Sequence, residues 1–302
     1  PTIINGGIIN KYNTNAKLGR GRWIIAEADE SDGSFLKLPA TVAVVTNIDP
    51  EHLDHYGSVE SLHEAFLRFI NKVPFYGAAI LCLDHPVIQA LLPSVTKRYV
   101  TYGFSSQAEF RASELISSEG VSRFSVLRGD EFLGPVELKI PGRHNVLNAL
   151  AATASAMEAG IPFGVVQQAL QRFEGVQRRF TIRGMAKGIT VVDDYAHHPA
   201  EIEATLMAAR EAYGRRVIAI WQPHRYSRVR DLHEEFMRSF NDCALVLVMD
   251  VYRAGEQPIE GIEAEHLVRD LRHHGHKGAV LAAQPEDVLR VIRSEARKGD
   301  VV

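Results

Sequence analysis

Apolar, β-branched runs recur along the chain, and each leads into a stretch with helical spacing. The runs are "WIIAEA" (23–28), "TVAVVTNI" (41–48), "AAILCLD" (78–84), "ITVVDDYA" (189–196), "RVIAIWQP" (216–223) and "CALVLVMD" (243–250). Near-continuous apolar runs predict strands buried on both faces, as in parallel sheets with helical crossovers. Helical patterns follow at 58–71, 145–159, 164–173, 199–212, 229–240, 263–273 and 285–297. The alternation predicts a doubly wound α/β architecture. Residues 96–140 break the rhythm and read as short strands and turns, an antiparallel edge or flap. "EGVQRRFTIRGMAKG" (174–188) is Gly-rich, basic and without a period, which predicts a domain boundary near residue 184 and domains of 1–184 and 185–302. The final "RKGDVV" reads as the opening of a strand with nothing to pair along. Together with a start at Pro1, it leads us to expect a piece of a longer protein.

Composition narrows the class. With 302 residues the chain has room for two domains with separate cores, and 46% hydrophobic with 24% charged residues is the balance of a globular protein. A net charge of -3 gives no broad basic field, which argues against a nucleic-acid partner. No apolar run reaches the roughly 18 residues a membrane span requires. Cys82 and Cys243 sit inside apolar runs and read as buried thiols of a cytoplasmic protein, not as a disulfide pair.

In open α/β sheets, ligands bind beyond the carboxyl ends of the strands, and here those ends are crowded with polar groups. "WIIA" is followed by Glu27, Asp29, Glu30 and Asp32, and "TVAVVT" by Asn47, Asp49, Glu51, His52, Asp54 and His55. "ITVV" gives way to Asp193, Asp194, Tyr195, His197 and His198, "RVIAI" to His224, Arg225, Arg228 and Arg230, and "CALVLVM" to Asp250, Tyr252, Arg253 and Glu256. Helix capping accounts for one such end readily but not for five. The first two clusters, carboxylates with an interleaved imidazole and no thiolate, suit a hard divalent ion such as Mg²⁺ or Mn²⁺. Asp32 and Asp54 read as caps. Arg225 and Arg228, three apart on one side of a helical turn, can grip a carboxylate or phosphate. The crowded turn "DDYAHH" (193–198) is open at this point to four readings: metal site, acid/base pair, ligand clamp or helix cap. His273, His274 and His276 read as a cationic cluster closing a helix before Gly275.

"IPGRHNVLNALAA" differs in kind. His144, Asn145 and Asn148 fall in the first two turns of a predicted helix, where amides either cap or read the donor–acceptor edge of a base. Neither G-x-x-x-x-G-K-[ST] nor G-x-G-x-x-G occurs. Residue types and spacing therefore stop at a cytosolic, metal-dependent α/β enzyme with an anionic substrate.

"EADESDGSF", "TNIDPEHLDHYGS", "PGRHNVLNALAA", "VQRRF", "VVDDYAHHPAEI", "WQPHRYSRVRDL" and "DVYRAGEQPIEGI" occur in this order over nearly the whole chain. They resemble successive motifs of the Mur ligases. The resemblance implies the later part of a central P-loop-ATPase-type domain with a mostly parallel sheet, then most of a Rossmann-like C-terminal domain. It implies an ATP-dependent ligase of peptidoglycan synthesis. Within the family the motifs fit the member that joins L-alanine to the carboxylate of UDP-N-acetylmuramate through an acyl phosphate. A murein-peptide or folylpolyglutamate-type ligase, or an inactive fragment that only binds ligand, are the alternatives. The implied partners are UDP-N-acetylmuramate, L-alanine and ATP with Mg²⁺ or Mn²⁺, in a cytoplasmic monomer or weak dimer with no nucleic acid or membrane. By the same resemblance Glu27 and His52 hold the metal, and His144, Asn145 and Asn148 line adenine. Asp194 takes the ribose hydroxyls and Arg179 reaches the phosphates. Tyr195, His197, His224, Arg225 and Arg228 surround alanine and the acyl centre, which makes "DDYAHH" a ligand clamp. Several relatives carry a carbamylated lysine a turn or two after the metal histidine. This chain offers Arg68 there, which cannot be carbamylated in that way.

Overall fold

The structure is a computed structural model that describes residues 1–302. The chain divides into two compact units, most of residues 1–174 forming the first and Gly175–Val302 the body of the second. The second unit thus starts ahead of residue 184, which lies inside a strand, because the 174–188 connector folds into one arm of a hairpin.

The first unit opens with β1 (Thr2–Ile9), β2 (Thr14–Lys17) and β3 (Ile24–Ala26), in the order β2-β1-β3. β2 runs antiparallel to β1, and β3 runs parallel to it. The buried strand expected from "WIIAEA" is realised as β3, but Ile24 and Ile25 are 66% and 58% exposed. The strand pairs in parallel with β1. The main sheet follows: β4 (Val42–Val45), α1 (Leu53–Tyr56), α2 (Val59–Asn71), β5 (Ala78–Cys82), α3 (Pro86–Leu91), β6 (Tyr99–Gly103), β7 (Phe110–Ser118), β8 (Val121–Arg128) and β9 (Glu131–Leu138). Its order is β4-β5-β6-β7-β8-β9, parallel from β4 to β7 and antiparallel between β8 and β9. The 96–140 region is therefore the antiparallel edge that its pattern predicted. Its last three strands, however, are eight or nine residues long, not short.

α4 (Arg143–Glu158) packs on β5 and β6, and α5 (Phe163–Gln171) on β9. Small residues on α4 let it approach the sheet closely: Ala149, Ala151 and Ala154 are buried beside Leu150, and Thr153 donates its hydroxyl to the Ala149 carbonyl. β5 is buried along its whole length, and at its entry a Cβ on Gly77 would lie 2.0 Å from the Thr41 carbonyl oxygen. Only glycine lets those two backbones meet.

The second unit comprises β10 (Thr181–Ala186), β11 (Ile189–Asp193), α6 (Pro199–Tyr213), β12 (Ile218–Trp221), α7 (Tyr226–Asp231), α8 (His233–Arg238), β13 (Leu245–Val248), α9 (Ala264–His273), β14 (Ala279–Leu281) and α10 (Pro285–Glu295). β12, β13 and β14 form a parallel sheet, and β10 and β11 an antiparallel hairpin. The terminal residues correct the expectation of an unpaired strand. Val301 bridges Thr190 and Val217 in parallel, and Val302 exchanges main-chain bonds with Thr190 and Val192. β11 and β12 thereby point the same way, with their carboxyl ends on one side. The 229–240 pattern is two short helices instead of one, broken at Leu232 (φ -116, ψ 27). The core centres on Trp221, whose ring stacks on Phe236 at 5.2 Å and meets Phe240 at 4.9 Å. Cys82 and Cys243 are free and buried, as expected, and burial pushes the Cys243 thiol up to about 12. No helix is long and apolar enough to cross a membrane.

Candidate functional site

Each unit presents polar groups beyond its strand ends. In the first, the loops after β3 and β4 bring Glu30, Glu51 and His52 together, with one donor atom from each inside a 4.8 Å group. His52 takes the left-handed conformation (φ 56) as the N-cap of α1, which turns its ring back so that Nε2 lies 3.9 Å from Glu30. Burial raises the Glu30 carboxyl above the usual glutamate range. A half-buried carboxylate with a second carboxylate and an imidazole beside it is a set that fits a hard divalent ion.

Glu27, the expected partner of His52, lies outside this group. Its carboxylate accepts the Gly6 amide at 2.5 Å. Asp29 and Asp32 build the loop itself, accepting from the amides of Ser31 and Ser34 at 2.8 Å each. Those serine bonds hold both carboxyls below the usual aspartate range. The expected adenine residues sit on the first two turns of α4, His144 and Asn145 half-buried and Asn148 exposed. Beside them the Arg143 guanidinium lies 3.8 Å from the centre of the Phe104 ring, a contact no local motif announced.

In the second unit the loops after β11, β12 and β13 place four rings in a row: Tyr195 and His197 at 5.1 Å, His197 and His224 at 6.3 Å, His224 and Tyr252 at 5.3 Å. The Arg178 guanidinium covers the Tyr195 ring at 4.6 Å, and Arg228 reaches His224 Nδ1 at 3.4 Å. Arginine has only protons to donate, so His224 Nδ1 accepts and the ring proton sits on Nε2. The opposite holds at His197. Its Nδ1 faces the Tyr195 carbonyl at 2.9 Å and must donate, which leaves Nε2 as a free acceptor.

Burial, then Arg228, His197 and Arg225, hold the His224 pKa below its ordinary value. The sign of the consequence follows from linkage. The unfolded chain takes up a proton near pH 6.5 that the fold resists, so the fold loses stability as pH falls from about 6.5 toward the depressed value. Urea midpoints of this chain should therefore drop between pH 7 and pH 5 more steeply than those of His224→Gln. Coincident slopes would remove the assignment.

Two carboxylates frame the row. Glu201 is the N3 residue of a capping box on α6: its Oε2 accepts from His197 N at 2.9 Å and His198 N at 3.3 Å, and its Oε1 accepts from Arg179 at 3.0 Å. Burial works against its charge, yet the His197 amide, His197 and Arg179 keep its pKa below the ordinary glutamate value. Arg179, expected on phosphates, is thus held by Glu201. Asp194, expected on ribose, gives one oxygen to Phe180 N at 2.7 Å and the other to Ala196 N at 2.8 Å. The second lone pair of each oxygen stays available. Glu201 could have been read from "HPAE", with proline at N1 and glutamate at N3. His274 closes α9 as expected, its pKa raised first by the Asp270 carbonyl and then by Glu234.

Family models match along the chain in two blocks: the Mur ligase middle domain over residues 21–156, and the Mur ligase glutamate ligase domain over 178–302. A UDP-N-acetylmuramate–L-alanine ligase of Anaeromyxobacter sp. (strain Fw109-5) is 55% identical over 302 residues, and one of Bradyrhizobium sp. (strain BTAi1) is 50% identical over 309. Each match takes in 100% of this chain and 66% of the relative, so the chain spans just under two thirds of the length of these curated relatives. Among solved structures, the UDP-N-acetylmuramate–alanine ligase of Thermotoga maritima superposes with a TM-score of 0.80 at 27% identity, covering 100% of this chain and 64% of that one. A murein peptide ligase of Psychrobacter arcticus shares the fold at a TM-score of 0.61 and 24% identity, over 96% of this chain and 62% of that one. The ordered motifs, the two matched blocks and the relatives at half identity or more lead to one conclusion: the chain belongs to the Mur ligase family.

Proposed function

We propose that this chain is the nucleotide- and amino-acid-handling part of a cytoplasmic ligase that joins L-alanine to the carboxylate of UDP-N-acetylmuramate at the expense of ATP. The observation that carries the reading is the second unit's array of Arg228 against a neutral His224, next to His197 with a free Nε2. In such a ligation the sugar carboxylate attacks the γ-phosphorus, releasing ADP and giving an acyl phosphate. The alanine amine then attacks the acyl carbon and inorganic phosphate leaves. Both steps place negative charge on oxygens, which positioned cations stabilise.

Arg225 and Arg228 present guanidiniums suited to the alanine carboxylate or the departing phosphate. His197 Nε2 takes the proton that the amine loses, while Nδ1–H stays on the Tyr195 carbonyl and keeps the ring oriented. His224 Nε2–H donates toward a developing oxyanion. Tyr195 supplies a wall for the small substrate. In the first unit Glu30, Glu51 and His52 would hold a divalent ion, whose charge neutralises phosphate oxygens when it is bound. By the resemblance Glu27, whose carboxylate accepts the Gly6 amide, would join His52 in holding that ion. His144, Asn145 and Asn148 are suited to the adenine edge, and Asp194 to ribose through its spare lone pairs.

The relatives at 50–55% identity favour alanine over a murein peptide as the amine substrate. The test is phosphate release from ATP with UDP-N-acetylmuramate and L-alanine. The full-length protein is expected to release phosphate, and this chain alone, which carries no phosphate-cradling G-x-x-x-x-G-K-[ST] loop, is not. A full-length protein that stays silent with all three substrates contradicts the reading.

A further inference from the structure

We infer that Glu256 is a positioning residue that holds the Arg225–Arg228 clamp in place by capping the helix that carries it from a separate loop. The inference rests on the alanine-ligase reading for what the clamp grips, but its geometry stands within the second unit alone.

α7 starts with an arginine at its N-cap, Arg225, where a serine or aspartate would ordinarily accept the first free amides. Arginine has no acceptor, and no side-chain cap bond forms there. Arg225 is also held at φ 68 and ψ 126, a combination rare for a residue with a Cβ, costing on the order of 1–3 kcal/mol. Local sequence therefore disfavours this helix start, and something outside the helix has to fix it.

The loop after β13 does so through three kinds of contact. Glu256 accepts the Ser227 amide at 3.0 Å on one oxygen and the Ser227 hydroxyl at 2.5 Å on the other, replacing the missing cap with a charged two-point acceptor. Tyr252 ties the same turn by main chain: its carbonyl accepts from Arg225 N at 2.9 Å and its amide donates to the Pro223 carbonyl at 2.8 Å. Its ring stacks on His224 at an interplanar angle of 23°. Burial works against the Glu256 charge, but the Ser227 bonds and Arg225 keep its carboxyl below the usual glutamate range. The "DVYRAGE" stretch, which supplies no side chain to the proposed chemistry, thus sets the aim of the arginines.

The test uses the full-length protein with Glu256→Ala, Glu256→Gln and Ser227→Ala, each followed by KM for L-alanine, KM for ATP and the melting temperature. Loss of the cap lets the guanidiniums drift by a fraction of a helical turn, and misplacement on that scale costs roughly 10- to 100-fold. Glu256→Ala is expected to raise the alanine KM by that factor with the ATP KM unchanged. Glu256→Gln, which keeps one acceptor oxygen, and Ser227→Ala, which keeps the amide donor, should fall between it and wild type. Equal rises in both KM values, or an unchanged alanine KM in a folded Glu256→Ala protein, overturn the inference. Should Glu256→Ala not fold, the ordering of the other two against wild type decides. A wild-type protein that does not use alanine at all refutes the alanine reading instead, so the two failures are separable.

Discussion

Replacing His197 with alanine in the full-length protein lowers kcat for alanine ligation by about 10³-fold, within the range that a positioned general base contributes. The expectation follows from a proton count. His197 Nδ1 is committed as donor to the Tyr195 carbonyl, so the lone pair on Nε2 is the one free proton acceptor on that ring. The ring's orientation is fixed twice over, since its own amide is anchored by Glu201. His197→Asn, which can retain the donor to Tyr195 but has no acceptor at the Nε2 position, should lose nearly as much. The KM for ATP should stay within about twofold in both, because the role lies in the second step. A His197→Ala protein with kcat within a few-fold of wild type would show that another group takes the amine proton.

Trp221→Ala should destabilise the second unit by about 4 kcal/mol, the usual cost of emptying a large aromatic site in a packed core. Trp221 is 5% exposed at the end of β12, with Phe236 of α8 and Phe240 just beyond that helix packed against its indole. Removing it leaves two rings facing a void that neither backbone can close. The same tryptophan precedes the "QPHRYSR" loop, so the substitution should also loosen His224 and the arginines. Urea unfolding followed by circular dichroism reads the change, and a loss below about 1 kcal/mol would contradict the packing account.

Much of this was legible in the chain. Apolar runs placed the buried strands because a parallel strand covered on both faces has no polar side to display. "AAILC" and "LVLV" are the clearest cases. The pairing of Val301 and Val302 on two edges was illegible because register depends on partners as far off in the sequence as Thr190 and Val217. At the strand ends, residue type located the chemistry but did not apportion it. Glu27, Asp29 and Glu30 are within a turn of one another, and only the left-handed His52 and the loop fold decide that Glu30 faces the imidazole. Asp194 and Arg179 were named for ligand contacts. Their protein partners, Phe180, Ala196 and Glu201, are set by how the hairpin and α6 meet. Glu256 was visible as a charged residue in the last motif, but its capping of Ser227 spans 29 positions and has no local signature.

The central claim is that the amine substrate is L-alanine. The most direct measurement is phosphate release by the full-length protein with ATP and UDP-N-acetylmuramate, supplied in turn with L-alanine, glycine and a murein tripeptide. Release that depends on L-alanine, falls with glycine and is absent with the tripeptide is the predicted result. Release with the tripeptide but not with alanine would contradict it.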